Sequence, residues 1–177
     1  HDQSLGAPVR YLVATHRPIA QLRAELKPKW RYQLRQAEKR NTLSVRPGDV
    51  AEFNALYAQM RSRKNFDDVR ALTHLTEILE SLAGSVPATV WVCYQKGKPV
   101  AAAIVSHIGD TAHYLFGASN DPGRSASAGY FLQWHIVTSL VCSGCRWYDL
   151  GGAMGNAGLE HFKSGLVGRC GQMADLP

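Results

Sequence analysis

Apolar positions in the first eighty residues recur at helical spacing, but beyond Pro87 they give way to short runs rich in β-branched and aromatic side chains. Tyr11–Ala14 reads as a short strand. Pro18 stands where a helix can begin, because proline lacks the N–H that a first turn would leave unpaired. Leu22, Leu26, Trp30 and Leu34 then fall on one helical face. Pro28 interrupts this run, which predicts a kink or two abutting helices, the second reaching about Arg40. Asp49 and Glu52 have capping-box spacing and introduce the stripe Val50, Phe53, Tyr57 and Met60. Arg61, Arg63 and Lys64 fall in the connection that follows, with Arg70 at its far end. Leu72, Leu75, Leu79 and Leu82 predict a third helix.

Thr89–Gln95, Val100–Ile108 and Ala112–Ala118 read as three strands, separated by turns at Lys96-Gly97-Lys98 and Gly109-Asp110, hence an antiparallel meander. Ser119–Ser127 is a small, polar loop, followed by a helix from about Ala128 to Cys142 that Gly144 is placed to end. Arg146–Leu150 is a strand entering Gly151-Gly152, Gly158–Ser164 a short helix, and Gly168 onward a last strand or tail. A helix between two strands implies a crossover joining parallel neighbours. The predicted class is therefore α/β, an α+β arrangement with a mixed sheet.

With 177 residues the chain can bury a sizeable core. It has no apolar run long enough to span a membrane and no secretory signal, so the cytoplasm is the expected compartment. Four cysteines are too few for a disulfide scaffold. The charge changes the picture more. Residues 1–70 hold fourteen Lys and Arg against seven Asp and Glu, whereas residues 71–177 hold six against seven. The densest block is Lys27, Lys29, Arg31, Arg35, Lys39 and Arg40, opposed only by Glu38. Arg31 and Arg35 are one helical turn apart and can present two guanidinium groups to one anion. A solvated helix face accounts for the same block equally well.

Three patterns bear on chemistry. Cys142 and Cys145 are half a zinc site at most, without a partner pair, so no metal is expected. The loop Arg124-Ser125-Ala126-Ser127-Ala128-Gly129 precedes a helix. It resembles the Arg/Gln-x-x-Gly-x-Gly/Ala loop of GNAT acetyltransferases, in which backbone amides at a helix N-terminus hold the coenzyme A pyrophosphate. Ser127 stands where that pattern has its first glycine. The third pattern is Tyr148-Asp149-Leu150-Gly151-Gly152, followed by Gly158-Leu159 and Phe162-Lys163.

Taken in order, Arg31–Lys39, Met60–Phe66, Tyr114–Ser119, Tyr130–Trp134 and Tyr148–Lys163 resemble the C-terminal part of the Fem-type peptidoglycan bridge aminoacyltransferases, which are built from GNAT-like domains. The resemblance covers roughly residues 20 to 168. Residues 1–45 would be a strand and basic helical segment joining to a missing first domain, and 46–177 the GNAT-like domain. The resemblance implies transfer of an aminoacyl group from aminoacyl-tRNA to an amine on a peptidoglycan precursor, with no further cofactor. In the alternative, acyl-CoA is co-substrate and Arg124, Ser125, Ser127 and Gly129 bind it. A third possibility is a non-catalytic anion-binding module. Lys163 is the expected donor to the carbonyl oxygen as it gains charge. Asp149, at a strand's C-terminal end, either accepts from the amine or anchors the glycine loop. Gly151 and Gly152 permit unusual backbone angles or close substrate approach. Arg31, Arg35, Arg63, Arg70 and Tyr130 complete the expected substrate-binding set, the arginines through phosphates.

Overall fold

The computed structural model describes residues 9–64, 74, 77–79, 86–153, 155–168 and 172–175. Arg70, Phe66 and Cys170 lie outside them, as does most of the helix expected over residues 72–82. The strands are β1 (Val9–Val13), β2 (Leu43–Pro47), β3 (Ala88–Gln95), β4 (Lys98–Ile108), β5 (Thr111–Ser119), β6 (Trp147–Asp149) and β7 (Gln172–Asp175). The helices are α1 (Ile19–Glu25), α2 (Pro28–Arg40), α3 (Val50–Lys64), α4 (Asp121–Ser125), α5 (Ala128–Cys142) and α6 (Ala157–Val167).

The strands form one mixed sheet in the order β2-β3-β4-β5-β6-β1-β7. β3, β4 and β5 make the expected meander, and the crossover through α5 brings β6 parallel to β5. The other pairings are antiparallel. The boundary expected at residue 45 falls inside β2, and residues on both sides of it contribute to the same sheet.

Pro28 does divide the first helical run. α1 ends at Glu25, Leu26 and Lys27 are extended, and α2 restarts with the proline in its first turn. The capping box forms as well: Glu52 N–H donates to Asp49 Oδ1 (2.9 Å) and Asp49 N–H to Glu52 Oε2 (3.1 Å). Arg61, Arg63 and Lys64 belong to the last turn of α3 rather than to a connection.

Two of the elements differ from the pattern reading. Ser119–Ser127 contains the short helix α4, because Asn120 caps it by accepting from Gly123 N–H (3.0 Å) and Pro122 fits its first turn. β2 was not foreseen. Its alternation is brief and it ends on Pro47, which an edge strand tolerates.

The core lies on both faces of the sheet. Ala103 and Val105 of β4 face a cluster with Leu26, Trp30, Leu34, Leu132, Ile136 and Leu166, contributed by α2, α5, α6 and the end of α1. Ala102 and Ile104, alternating with them, face Phe53 and Leu56 of α3. α5 is buried along Leu132, Gln133, Trp134, Ile136 and Val137, as a helix gripped between the sheet and α2 must be. Among the described residues no helix is long and apolar enough to cross a membrane.

Candidate active site

β5 and β6 pair only over Thr111↔Trp147, Ala112↔Tyr148 and His113↔Asp149. Past that point β5 stays with β4, and a bulge leaves Leu115 without a partner between Tyr114 and Phe116. The chain after Asp149 stays with β1, on which β6 is already paired. Leu150 N–H donates to Tyr11 O (2.9 Å) and Tyr11 N–H to Gly151 O (3.2 Å). The strands therefore splay, opening a cavity of about 540 Å³ lined by Tyr114–Ser119, Gly129, Gln133, Leu150–Ala153, Leu159, Phe162 and Lys163. Leu115 and Leu159 are its exposed apolar rim.

Asp149 is the last paired residue of β6 and is buried. Its Oδ1 accepts from Gly151 N–H (2.7 Å), and its Oδ2 accepts from Arg10 and lies 3.6 Å from His113 Nδ1. Gly151 takes a positive φ of 68°, which a side chain would resist. The carboxylate thus braces a turn that brings Gly152 O into the cleft, where it accepts from Lys163 Nζ (2.6 Å). Lys163 reaches this point from α6, whose N-terminus is fixed by Asn156 accepting from Leu159 N–H (3.1 Å).

The Lys163 ammonium also sits 5.6 Å from the centre of the Tyr114 ring. Burial lowers its pKa from the ordinary lysine value, and the charge of Asp149 opposes the shift. Burial pushes the Tyr114 hydroxyl up to about 12, so this ring meets the ammonium uncharged. Tyr148 donates to Gln133 Oε1 (2.8 Å) and is held well above its ordinary pKa by burial and by neighbouring Tyr114. The cleft therefore offers one buried cation, Lys163, with the exposed Lys64 also in its lining. This suits a carbonyl oxygen acquiring charge, because a preorganised donor in a dry site is worth more than one in water.

Asp149, Gly151, Gly152, Lys163 and Gly129 thus converge on one cleft. The remaining expected site residues stand apart. Tyr130 packs edge-on to Trp30 (5.1 Å) and Phe162 (5.0 Å), behind the cleft wall. Arg63 donates to Ser119 O (3.3 Å) and Asp121 (3.1 Å) at the far end of β5. Arg31 and Arg35 share a separate groove on α2. Arg124 is exposed beside Asp121 (3.7 Å). Ser125 O accepts from Arg40. Ser127 has a positive φ of 56° and donates its hydroxyl to Gln33 Oε1 (2.6 Å). The N–H groups of Arg124, Ala126 and Ser127 are all given to nearby carbonyls. Cys142 is exposed and Cys145 buried, and neither is in a disulfide. Cys145 Sγ lies 3.2 Å from His107 Nε2. Among the described residues no metal-ligating cluster forms. Arg10 and His113 were not singled out from the sequence, and Tyr114 and Gln133 entered only as motif residues, with no role at the site. Only the fold brings them to Asp149 and Lys163.

Residues 24–164 match the acetyltransferase (GNAT) domain family. The chain belongs to this family. Among solved structures, FemX superposes with a TM-score of 0.82 at 15% identity, covering 98% of this chain and 61% of FemX. The C-terminal domain of a putative lysylphosphatidylglycerol synthetase from Agrobacterium fabrum gives 0.66 at 17% identity, over 94% of this chain and 58% of that one. The ribosomal-protein-S18-alanine N-acetyltransferase from Escherichia coli gives 0.52 at 16%, over 68% and 73%. At these identities the likeness is one of fold. This GNAT chain spans about three fifths of the FemX chain it matches. No curated protein matches it in sequence.

Proposed function

We propose that this GNAT domain transfers an aminoacyl group from aminoacyl-tRNA to an amine of a peptidoglycan precursor. The observation that carries this reading is the buried Lys163 ammonium, tied to Gly152 O at the point where β5 and β6 part. The amine attacks the ester carbonyl of the donor, the oxygen gains negative charge, and Lys163 donates to it. As the tetrahedral centre collapses, the C–N bond is kept and the ester C–O bond breaks. The amine's proton is lost, and the departing ribose oxygen leaves as a hydroxyl. Asp149 holds the loop that aims Lys163 and does not touch the reacting atoms.

The fold of FemX over nearly the whole chain supports the aminoacyl reading. So does Ser127, whose side chain stands where the acyl-CoA loop has its first glycine. Acyl-CoA remains the alternative donor, on the strength of the N-acetyltransferase that shares the fold. The test is amide formation by the intact protein from radiolabelled aminoacyl-tRNA and a peptidoglycan precursor, run beside acetyl-CoA titrated by calorimetry. Product from the tRNA and no heat from acetyl-CoA is the expected pair of results. Tight acetyl-CoA binding with no transfer from charged tRNA would reverse the assignment.

A further inference from the structure

The outer face of α2 carries a groove of about 430 Å³ lined by Pro28, Arg31, Tyr32, Arg35, Gln36 and Lys39. The face exists because the apolar stripe Trp30, Leu34 and Ala37 is buried on the opposite side, against the core. Arg31, Arg35 and Lys39 are four residues apart, so they rise along the helix at about 6 Å per step. No carboxylate lines the groove. Glu38, the acidic residue of α2, is turned away and held by both terminal nitrogens of Arg23 (2.8 and 2.6 Å). Tyr32, 59% exposed, lies among the three cations with its ring open to solvent.

We infer that this face docks an RNA strand. It rests on the donor reading above and assigns the surface that would hold the donor's phosphates. The cations are arrayed along an axis instead of converging on one point, which suits a chain of phosphates better than a single one. The exposed ring beside them offers a surface on which an unpaired base can stack. A membrane-surface helix needs an apolar face turned outward, and that face of α2 is buried in the core. The placement also fits. The inner side of α2 meets Phe162 through Trp30 (5.8 Å), and Phe162 lines the cleft. The path from the groove to the cleft therefore crosses one helix, about 10 Å wide, and the Trp30–Phe162 ring pair beyond it. An unpaired RNA terminus can cover that span while the rest of the molecule stays on α2.

The test is fluorescence anisotropy of the protein with labelled, uncharged tRNA across a salt series. The R31Q/R35Q/K39Q variant should bind at least about tenfold more weakly, and its log K against log salt should be shallower by about 2, one contribution of roughly 0.7 per lost phosphate contact. Y32A should lower affinity several-fold without changing the slope. An unchanged melting temperature shows that the variants fold. The inference is overturned if the triple variant keeps parental affinity and slope, or if anionic phosphatidylglycerol vesicles, and not tRNA, depend on these residues. Failure of the donor reading looks different: the parent would bind tRNA through α2 yet transfer nothing from its charged form.

Discussion

Replacing Asp149 with Asn separates anchoring from chemistry. Asn keeps an oxygen for the Gly151 N–H but removes the charge that meets Arg10 and faces His113. Asp149 is almost fully buried, whereas 37% of the Arg10 side chain remains exposed, so water compensates part of the lost pair. Losing one member of a fully buried pair costs about 3–5 kcal/mol; discounted for the wet arginine, D149N should cost about 1–2 kcal/mol. In a domain of this size that lowers the melting temperature by about 2–8 °C. D149A should cost about 1–3 kcal/mol more, because the Gly151 N–H then loses its partner too.

The same substitution acts on Lys163. The Asp149 charge supports the protonated lysine against burial, so removing it lowers the Lys163 pKa further. If the ammonium is the active form, rate falls as pH rises through that pKa, and the alkaline limb of the D149N profile moves to lower pH. Melting curves and pH–rate profiles of the two proteins supply the readouts. The anchoring role is refuted if D149N melts with the parent while its rate drops about a thousandfold, since that pattern belongs to a group acting on the substrate. An unmoved alkaline limb would refute the coupling to Lys163.

K163M should lose about 10²–10³ in kcat with little change in KM, measured by steady-state transfer, as removal of one oxyanion donor does. Its stability should also lose a pH dependence. The folded pKa of Lys163 lies below the unfolded one, so the unfolded chain holds more protons between the two values, and the parent gains stability as pH rises through the folded pKa. That gain should be missing from K163M melting curves. At Gly117 an added Cβ would lie 1.8 Å from the Tyr114 hydroxyl, so G117A should swing that ring off Lys163 and cost about 1–3 kcal/mol, read from denaturant midpoints. Gly168 has a φ of 75°, and its added Cβ would meet the Glu25 carbonyl oxygen at 2.6 Å. That oxygen is backbone and cannot rotate away, so G168A should destabilise by at least about 2 kcal/mol by the same measurement.

The meander, the Pro28 break and the α5 crossover were legible because each rests on local rules: periodicity, proline sterics and turn residues. Lys163 and the Asp149–Gly152 loop were legible through family resemblance. Arg10 was not, since nothing within its neighbourhood in sequence marks it. Its role arises from β1 entering the sheet antiparallel to β6, which sets Leu12 opposite Asp149 and lets Arg10 reach the carboxylate. Tyr130 is a different case. It belongs to the motif, yet the helix phase that puts Gly129 on the cleft turns Tyr130 toward Trp30.

The site lies where it does because a pairing that begins as a parallel ladder is abandoned after three residues. A continued β5–β6 ladder would have filled the space with paired backbone. Instead Leu115 bulges out of β5 and the other strand keeps to β1 as far as Gly151 O, which leaves Gly151 N–H and Gly152 O to find partners outside any strand ladder. Such groups are costly to bury unless something satisfies them. Lys163 satisfies Gly152 O, and Asp149 satisfies Gly151 N–H. The same two contacts that stabilise an interrupted sheet therefore place the cleft's buried cation. This is why a change at Asp149 should register in both the melting temperature and the pH profile rather than in one alone.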